Sequence, residues 1–261
     1  MGAFRKVSRN ASRKLALPFR GKSTFRRDAL ILAFACFFPT VFTWTYFIFG
    51  ERFAPSFSKY VFVAGKTLQF AFPAFVATFV LQTRWLVRRP NRRGLAAGAI
   101  FGGVVGCAIF LIGGYLTSDP GAFAPMIEQA RNELSGRLVP LGLATPSAFF
   151  ALTLFYSVAH SGLEEYYWRW FTFGLLSARL PTLAATLLAN AAFTLHHILL
   201  LGVYFGFDQP ATRFCAFGVF VGGLVWQEIY RRSDSIYGAW LSHGLIDAGI
   251  FGVGFLLLPK G

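Results

Sequence analysis

Two adjacent carboxylates and an arginine, Glu164, Glu165 and Arg169, stand in the otherwise aromatic and apolar stretch GLEEYYWRW. His196 and His197 follow in ANAAFTLHHILLLG, and His243 and Asp247 in AWLSHGLIDAGIFG. A carboxylate beside an imidazole can move a proton or ligate a metal ion. Read as helix, Glu165 and Arg169 are i and i+4 and share a face, as do Phe193 with His197 and His243 with Asp247. Glu164 points about 100° away from Glu165 and is free to meet a different neighbour. One carboxylate can thus be held by the arginine while the other serves as a general base. His160, one turn before Glu164, either lines the same cavity or sits in a polar helix patch, and the second reading is preferred. Each pair taken alone also suits an interfacial salt bridge or a packing hydrogen bond. Together, in one highly apolar half-chain, they point to a polar site assembled between helices, because an ionisable group in a membrane segment needs a partner or a wet cavity.

The elements that must position these groups follow from composition. The chain has 261 residues, 55% hydrophobic, 18% aromatic and only 14% charged. Its apolar runs approach the length of a bilayer crossing, so the expected fold class is all-α, a polytopic transmembrane helical bundle of about seven or eight membrane helices. The runs cover 29–49, 68–87, 95–116, 140–162, 183–205, 214–229 and 237–258. The segment 171–180 reads as a short interfacial helix or an extension of the fourth run. The polar connection 118–137 reads as an amphipathic helix. Three regions result: a basic cytoplasmic arm over 1–27, N-terminal membrane helices with the polar connection over 28–139, and a core over 140–261 that carries the site.

Formal net charge is +14. The basic residues cluster between apolar runs, where they set topology and meet anionic headgroups, so membrane lipid is the expected partner and nucleic acid is not. Most of the 25 Lys and Arg fall in the arm and in alternate connections on the same side, which is cytoplasmic by the positive-inside rule. Lys59 and Lys66 count with the opposite side. Glu164 and Glu165 then lie near the cytoplasmic end of the fourth run. The three cysteines, Cys36, Cys107 and Cys215, stand isolated in different apolar runs and read as packing residues.

EEYYWR at 164–169 resembles EExxxR, FTLHH at 193–197 resembles FxxxH, and HGLID at 243–247 resembles HxxxD/N. In this order the motifs are similar to those of the CPBP family of intramembrane proteases, which includes type II CAAX prenyl endopeptidases and bacteriocin-immunity proteins. The resemblance covers roughly 140–258. It implies hydrolysis of a peptide bond in a membrane-associated, prenylated CAAX-type substrate, and a multi-pass protein of the plasma membrane with a site opening toward the cytoplasm. It implies that Glu164 activates water with Glu165 and Arg169 in support, that His197 and His243 bind that water, an oxyanion or a metal, and that Asp247 completes the site. His196 takes an outer, supporting place.

Two mechanisms follow. In one, Glu164 takes a proton from water without a metal. In the other, Zn²⁺ held by Glu164, His197, His243 and Asp247 activates the water. The HExxH signature of many zinc proteases is absent from the chain. Two other classes use the same residues: a non-catalytic membrane scaffold or immunity protein, and a proton-coupled carrier.

Overall fold

The computed structural model describes residues 19, 24–50, 55–83 and 88–259. Among these residues every regular element is a helix. α1 spans Phe25–Trp44 and continues through a wide π turn at Thr45–Phe49. α2 spans Pro55–Phe75, with a similar wide turn at Val76–Val80. α3 spans Arg92–Ser118, and α4 spans Ala124–Leu138. α5 is one rod over Pro146–Ser177. α6 spans Thr182–Phe205, α7 Pro210–Ser233 and α8 Tyr237–Leu257.

Helix ends follow local chemistry. The Asn91 side chain accepts from the backbone N–H groups of Arg93 and Gly94 at 2.9 and 3.2 Å, which satisfies donors at the start of α3. Thr145 does the same for Ala148, and Pro146 follows at the first helical position. Gly206 at φ 93° ends α6, and Asp234, in the left-handed region at φ 54°, ends α7.

Five helical stretches are long and apolar enough to cross a membrane: Arg26–Phe49, Tyr60–Val80, Arg92–Ser118, Thr182–Phe205 and Tyr237–Leu257. The pair Gly121–Leu141 and Pro146–Ser177, bent by 99°, makes a sixth if it is one broken span. The chain is an integral, multi-pass membrane protein. Its outward faces carry bare Phe79, Ile100, Leu111, Phe150, Leu183 and Phe214, which lipid accommodates at no hydrophobic cost.

The sequence-based segments each fall on a helix, with shifted ends. α2 begins at Pro55, well before 68, and leaves helical form after Val80 rather than running to 87. Its polar first half, with Ser56, Ser58, Lys59 and Lys66, hid the helix from a hydropathy reading. Lys66 therefore belongs inside the span Tyr60–Val80 and not in a connection. The 171–180 segment is the end of α5, and the polar connection does contain a helix, α4. Within the basic arm, residues 1–18 and 20–23 lie outside the described residues, as do Arg52, Arg84 and Lys260. Phe19 is described: its ring is buried edge-on against Trp170 and Phe171 at 5.4 and 5.8 Å. Arg179, just past α5, donates to the Phe19 carbonyl at 3.0 Å and pairs with buried Asp28 of α1.

The tightest seam joins α3 to α8. Gly94, Gly98, Gly102 and Gly106 recur every fourth residue and are all buried. A Cβ at Gly98 would strike the carbonyl of Gly238, and one at Gly102 would sit 2.6 Å from the Cα of Ser242. Small residues spaced by four let two membrane helices touch backbone to backbone, where dispersion and weak Cα–H contacts replace the missing hydrophobic drive. That seam fixes the rotation of α8, and with it the direction in which His243 projects.

Candidate active site

The site forms where α5, α6 and α8 meet beneath α2. Around Glu164 the rod α5 changes pitch twice. Ser161–Glu165 is an α-helical turn between two wide π stretches, Phe155–His160 and Tyr166–Phe173. π turns inside α-helices concentrate at functional sites because the extra residue redirects the side chains that follow. Here the second stretch buries Tyr167, Trp168, Arg169, Trp170, Phe171, Thr172 and Phe173 all together, an aromatic floor under the two carboxylates.

Glu164 is 2% exposed and is ringed by imidazoles. His196 Nε2 lies 3.6 Å from its Oε1, His243 Nε2 lies 3.7 Å from its Oε2, and His160 Nε2 lies 4.0 Å from Oε1. These separations exceed a direct hydrogen bond and suit two groups that share a water. Glu165, fully buried, has a different company. Its Oε2 pairs with Arg169 Nε at 3.1 Å, and its Oε1 meets His243 Nδ1 at 2.8 Å. An ionised carboxylate only accepts, so the proton of that contact sits on Nδ1 and His243 presents Nε2 to Glu164. The same Nε2 lies 3.7 Å from Asp247 Oδ1. His243 is thereby oriented by one carboxylate and faces two others.

His197 follows the same logic. Its Nδ1 sits 2.9 Å from the carbonyl of Phe193, which only accepts, so Nε2 is the nitrogen left for a ligand. Phe193 packs at the centre of the group, with ring centroids 4.5 Å from His197, 5.6 Å from His196 and 6.2 Å from His243. It also lies 4.8 Å under the Arg169 guanidinium. Arg169 donates to the Gly223 carbonyl at 3.3 Å and stacks near Trp226, so α7 supports the arginine that supports Glu165. Trp226 in turn lies parallel to His243 at 4.2 Å and donates its Nε1–H to Ser242 Oγ at 2.9 Å. The φ-independent demand for glycine at position 223 is steric: a Cβ there would meet the amide oxygen of Asn190.

The structure thus gathers the residues singled out from sequence, Glu164, Glu165, Arg169, His197, His243 and Asp247, around one centre. It also alters two assignments. His196 does not stand behind His197; α6 turns it directly onto Glu164, and Trp168 stacks parallel to its ring at 5.7 Å. His160 is not part of an outlying polar patch, because the wide turn at Phe155–His160 brings it back over Glu164. An ideal α-helix separates His196 and His197 by about 100°, yet both reach the site, since it is wider than one ring.

A metal ion would find a different set from the one expected. Glu164, His196 and His197 offer ligand atoms that all lie within 4.8 Å of one another. His243 and Asp247 lie outside that group. The donors are oxygen and imidazole nitrogen, which fit Zn²⁺ chemically. His196 Nδ1 has no hydrogen-bond partner among the described residues, so its tautomer is free to adapt to an ion.

Helices with exposed apolar faces, enclosing a carboxylate–imidazole centre, define a membrane-embedded protein with the groups of a hydrolytic site. Residues 146–249 match the family model described as type II CAAX prenyl endopeptidase, Rce1-like. The matched stretch, which is similar to the CPBP family, runs from the first residue of α5 into the C-terminal half of α8 and contains every residue of the site. The family so described is one of CAAX-type intramembrane proteases. No curated protein and no solved structure matches the chain.

Proposed function

We propose that the chain is an intramembrane endopeptidase that hydrolyses a peptide bond close to the prenylated C-terminal Cys-a-a-X end of a lipidated substrate, with Glu164 as the general base. The observation that carries this reading is the setting of Glu164: a buried carboxylate with three imidazoles at 3.6–4.0 Å and no cation in direct contact among the described residues. Glu165 is already committed to Arg169 and His243, so Glu164 is the carboxylate available for proton transfer.

Glu164 takes a proton from a water as its oxygen attacks the scissile carbonyl, then delivers that proton to the leaving amine as the C–N bond breaks. His243, fixed by Glu165, holds the water from the side of Asp247 and donates to the developing oxyanion when it carries a second proton. His196 and His197 bound the water on the side of α6. The apolar outer surface lets the lipid chain of the substrate stay in the bilayer while its peptide enters. The dominance of basic residues in the arm and in the 88–93 connection supports a cytoplasmic opening.

The ion-binding group favours a second reading. Zn²⁺ held by Glu164, His196 and His197 would lower the pKa of a bound water and polarise the substrate carbonyl. Purified protein in nanodiscs, offered prenylated and unprenylated peptides, tests both. Loss of cleavage in Glu164→Gln by roughly 10³-fold or more is expected. Full activity in that variant would overturn the base assignment, and an unaffected biological role in cells would favour a non-catalytic scaffold. Cleavage that survives chelation in protein shown to be metal-free rules out the zinc reading; activity restored by one equivalent of Zn²⁺ establishes it.

A further inference from the structure

One charged side chain near the site has no role in the steps above. Lys66 lies within the membrane span of α2, yet among the described residues it makes no ion pair. A lysine in such a place ordinarily extends toward the nearer interface. Side chains on a helix lean toward its N-terminus, which here is also the shorter way out. Lys66 does the opposite: its Nζ donates to Gln69 Oε1 at 3.4 Å, three residues farther into the span. It is held there between the rings of Phe42 and Phe70, at 5.9 and 5.5 Å. Gln69 is 1% exposed, and with its oxygen turned to Lys66 its Nε2 has no partner among the described residues. A half-buried ammonium and a buried amide N–H₂ without a partner thus sit side by side, with no carboxylate in contact with either among the described residues.

The spot is close to the catalytic groups. The Phe70 ring that carries Lys66 packs edge-on against His160 at 5.7 Å, and His160 reaches Glu164. One phenyl ring and one imidazole therefore separate the ammonium from the proposed base.

We propose that Lys66 and Gln69 form a subsite for the free α-carboxylate at the end of the substrate, so that the enzyme measures its cleavage point from the C-terminus. The inference rests on the protease reading and deepens it. A carboxylate would accept from Gln69 Nε2 and pair with the ammonium, whose partner is otherwise only the Gln69 amide oxygen, and a substrate without it leaves that charge unpaired. Recognition of the chain end from α2 would let a site built on α5, α6 and α8 select terminal over internal peptide bonds.

The test compares two prenylated peptides that differ only in a C-terminal acid or carboxamide. Wild-type protein in nanodiscs should cleave the acid with a KM at least about tenfold lower than that of the amide. Lys66→Met should raise KM for the acid by about the same tenfold factor, to near the amide value. Gln69→Leu should move it the same way by less, and Lys66→Arg should keep the preference for the acid. Equal KM values for the two peptides on the wild type overturn the subsite without any variant. A Lys66→Met protein that still prefers the acid, or that loses kcat equally on both, overturns it as well. Binding of both peptides to Glu164→Gln separates the two claims. Acid-selective binding without any cleavage by the wild type sinks the protease reading and leaves the subsite, whereas cleavage without acid selectivity sinks the subsite alone.

Discussion

At the scale of single residues, the two neighbouring glutamates differ in what each touches. Glu165 is bound on both oxygens, one by Arg169 and one by His243, and this fixes a tautomer rather than a reacting atom. Glu165→Gln keeps the size but offers Arg169 no charge and lets an amide face the Nδ1–H. We expect kcat to fall by about 10²-fold, with KM little changed and the loss largest where His243 must carry a proton. Steady-state kinetics across pH check this, and a pure KM effect would contradict it. Arg169→Met should cost more than activity. It leaves Glu165 buried without its cation, which destabilises by about 3 kcal/mol or more and should lower the thermal unfolding midpoint in detergent. His196 offers a contrast between the two mechanisms. His196→Ala removes a ligand of the ion-binding group and one wall of the water site. Loss of bound Zn²⁺ together with activity supports the metal-assisted path, and loss of activity in metal-free protein supports the glutamate path.

At the scale of elements, the placement of His243 depends on a seam that contains no catalytic group. α8 lies against α3 with Gly98, Gly102 and Gly106 facing backbone atoms of Gly238, Ser242 and Leu245. Gly102→Leu cannot be absorbed by a flexible neighbour, because the obstacle is the main chain of Ser242 itself. We expect destabilisation of about 3 kcal/mol or more, at or beyond the upper end for overpacking, together with loss of activity as α8 moves away. Gly103→Leu is the control on the same helix: a Cβ there meets nothing within 4 Å. A Gly102→Leu protein as stable and active as that control would show that the seam does not set the site. The wide turns of α5 belong to the same scale. They were invisible to a reading that assumed one periodicity, and they explain why His160 and Glu164 converge on groups from other helices.

At the scale of the whole molecule, the chain is stapled from its beginning to its middle. Asp28 of α1 is buried and receives Arg179, which also holds the carbonyl of Phe19. Arg179→Met should lower stability by about 2 kcal/mol, since Asp28 keeps its contact with Arg27 at 3.3 Å. Topology is testable at this scale too. In a background with Cys36, Cys107 and Cys215 replaced by serine, Arg89→Cys should react with a membrane-impermeant thiol reagent only from the cytoplasmic face of sealed vesicles. Labelling from the opposite face would invert the orientation and place the site opening outside.

The sequence by itself determined that this is a multi-pass helical membrane protein, because long apolar runs with clustered basic borders have few other solutions in lipid. It also supplied the two glutamates, the arginine, the histidines and the aspartate, since charge in an apolar segment stands out at one dimension. The four-residue spacing of Gly94, Gly98, Gly102 and Gly106 was legible as well, though it carries no chemistry to draw attention. Only the tertiary structure decided which imidazoles face Glu164, that His196 and His160 join His243 there, and that Lys66 turns inward from a helix whose polar first half resembled a connection. The reason is physical: hydropathy reports how a residue is solvated along the chain, whereas a site depends on helix rotation and pitch. Those are fixed by backbone contact at glycines and by wide turns, through atoms far from the site in sequence.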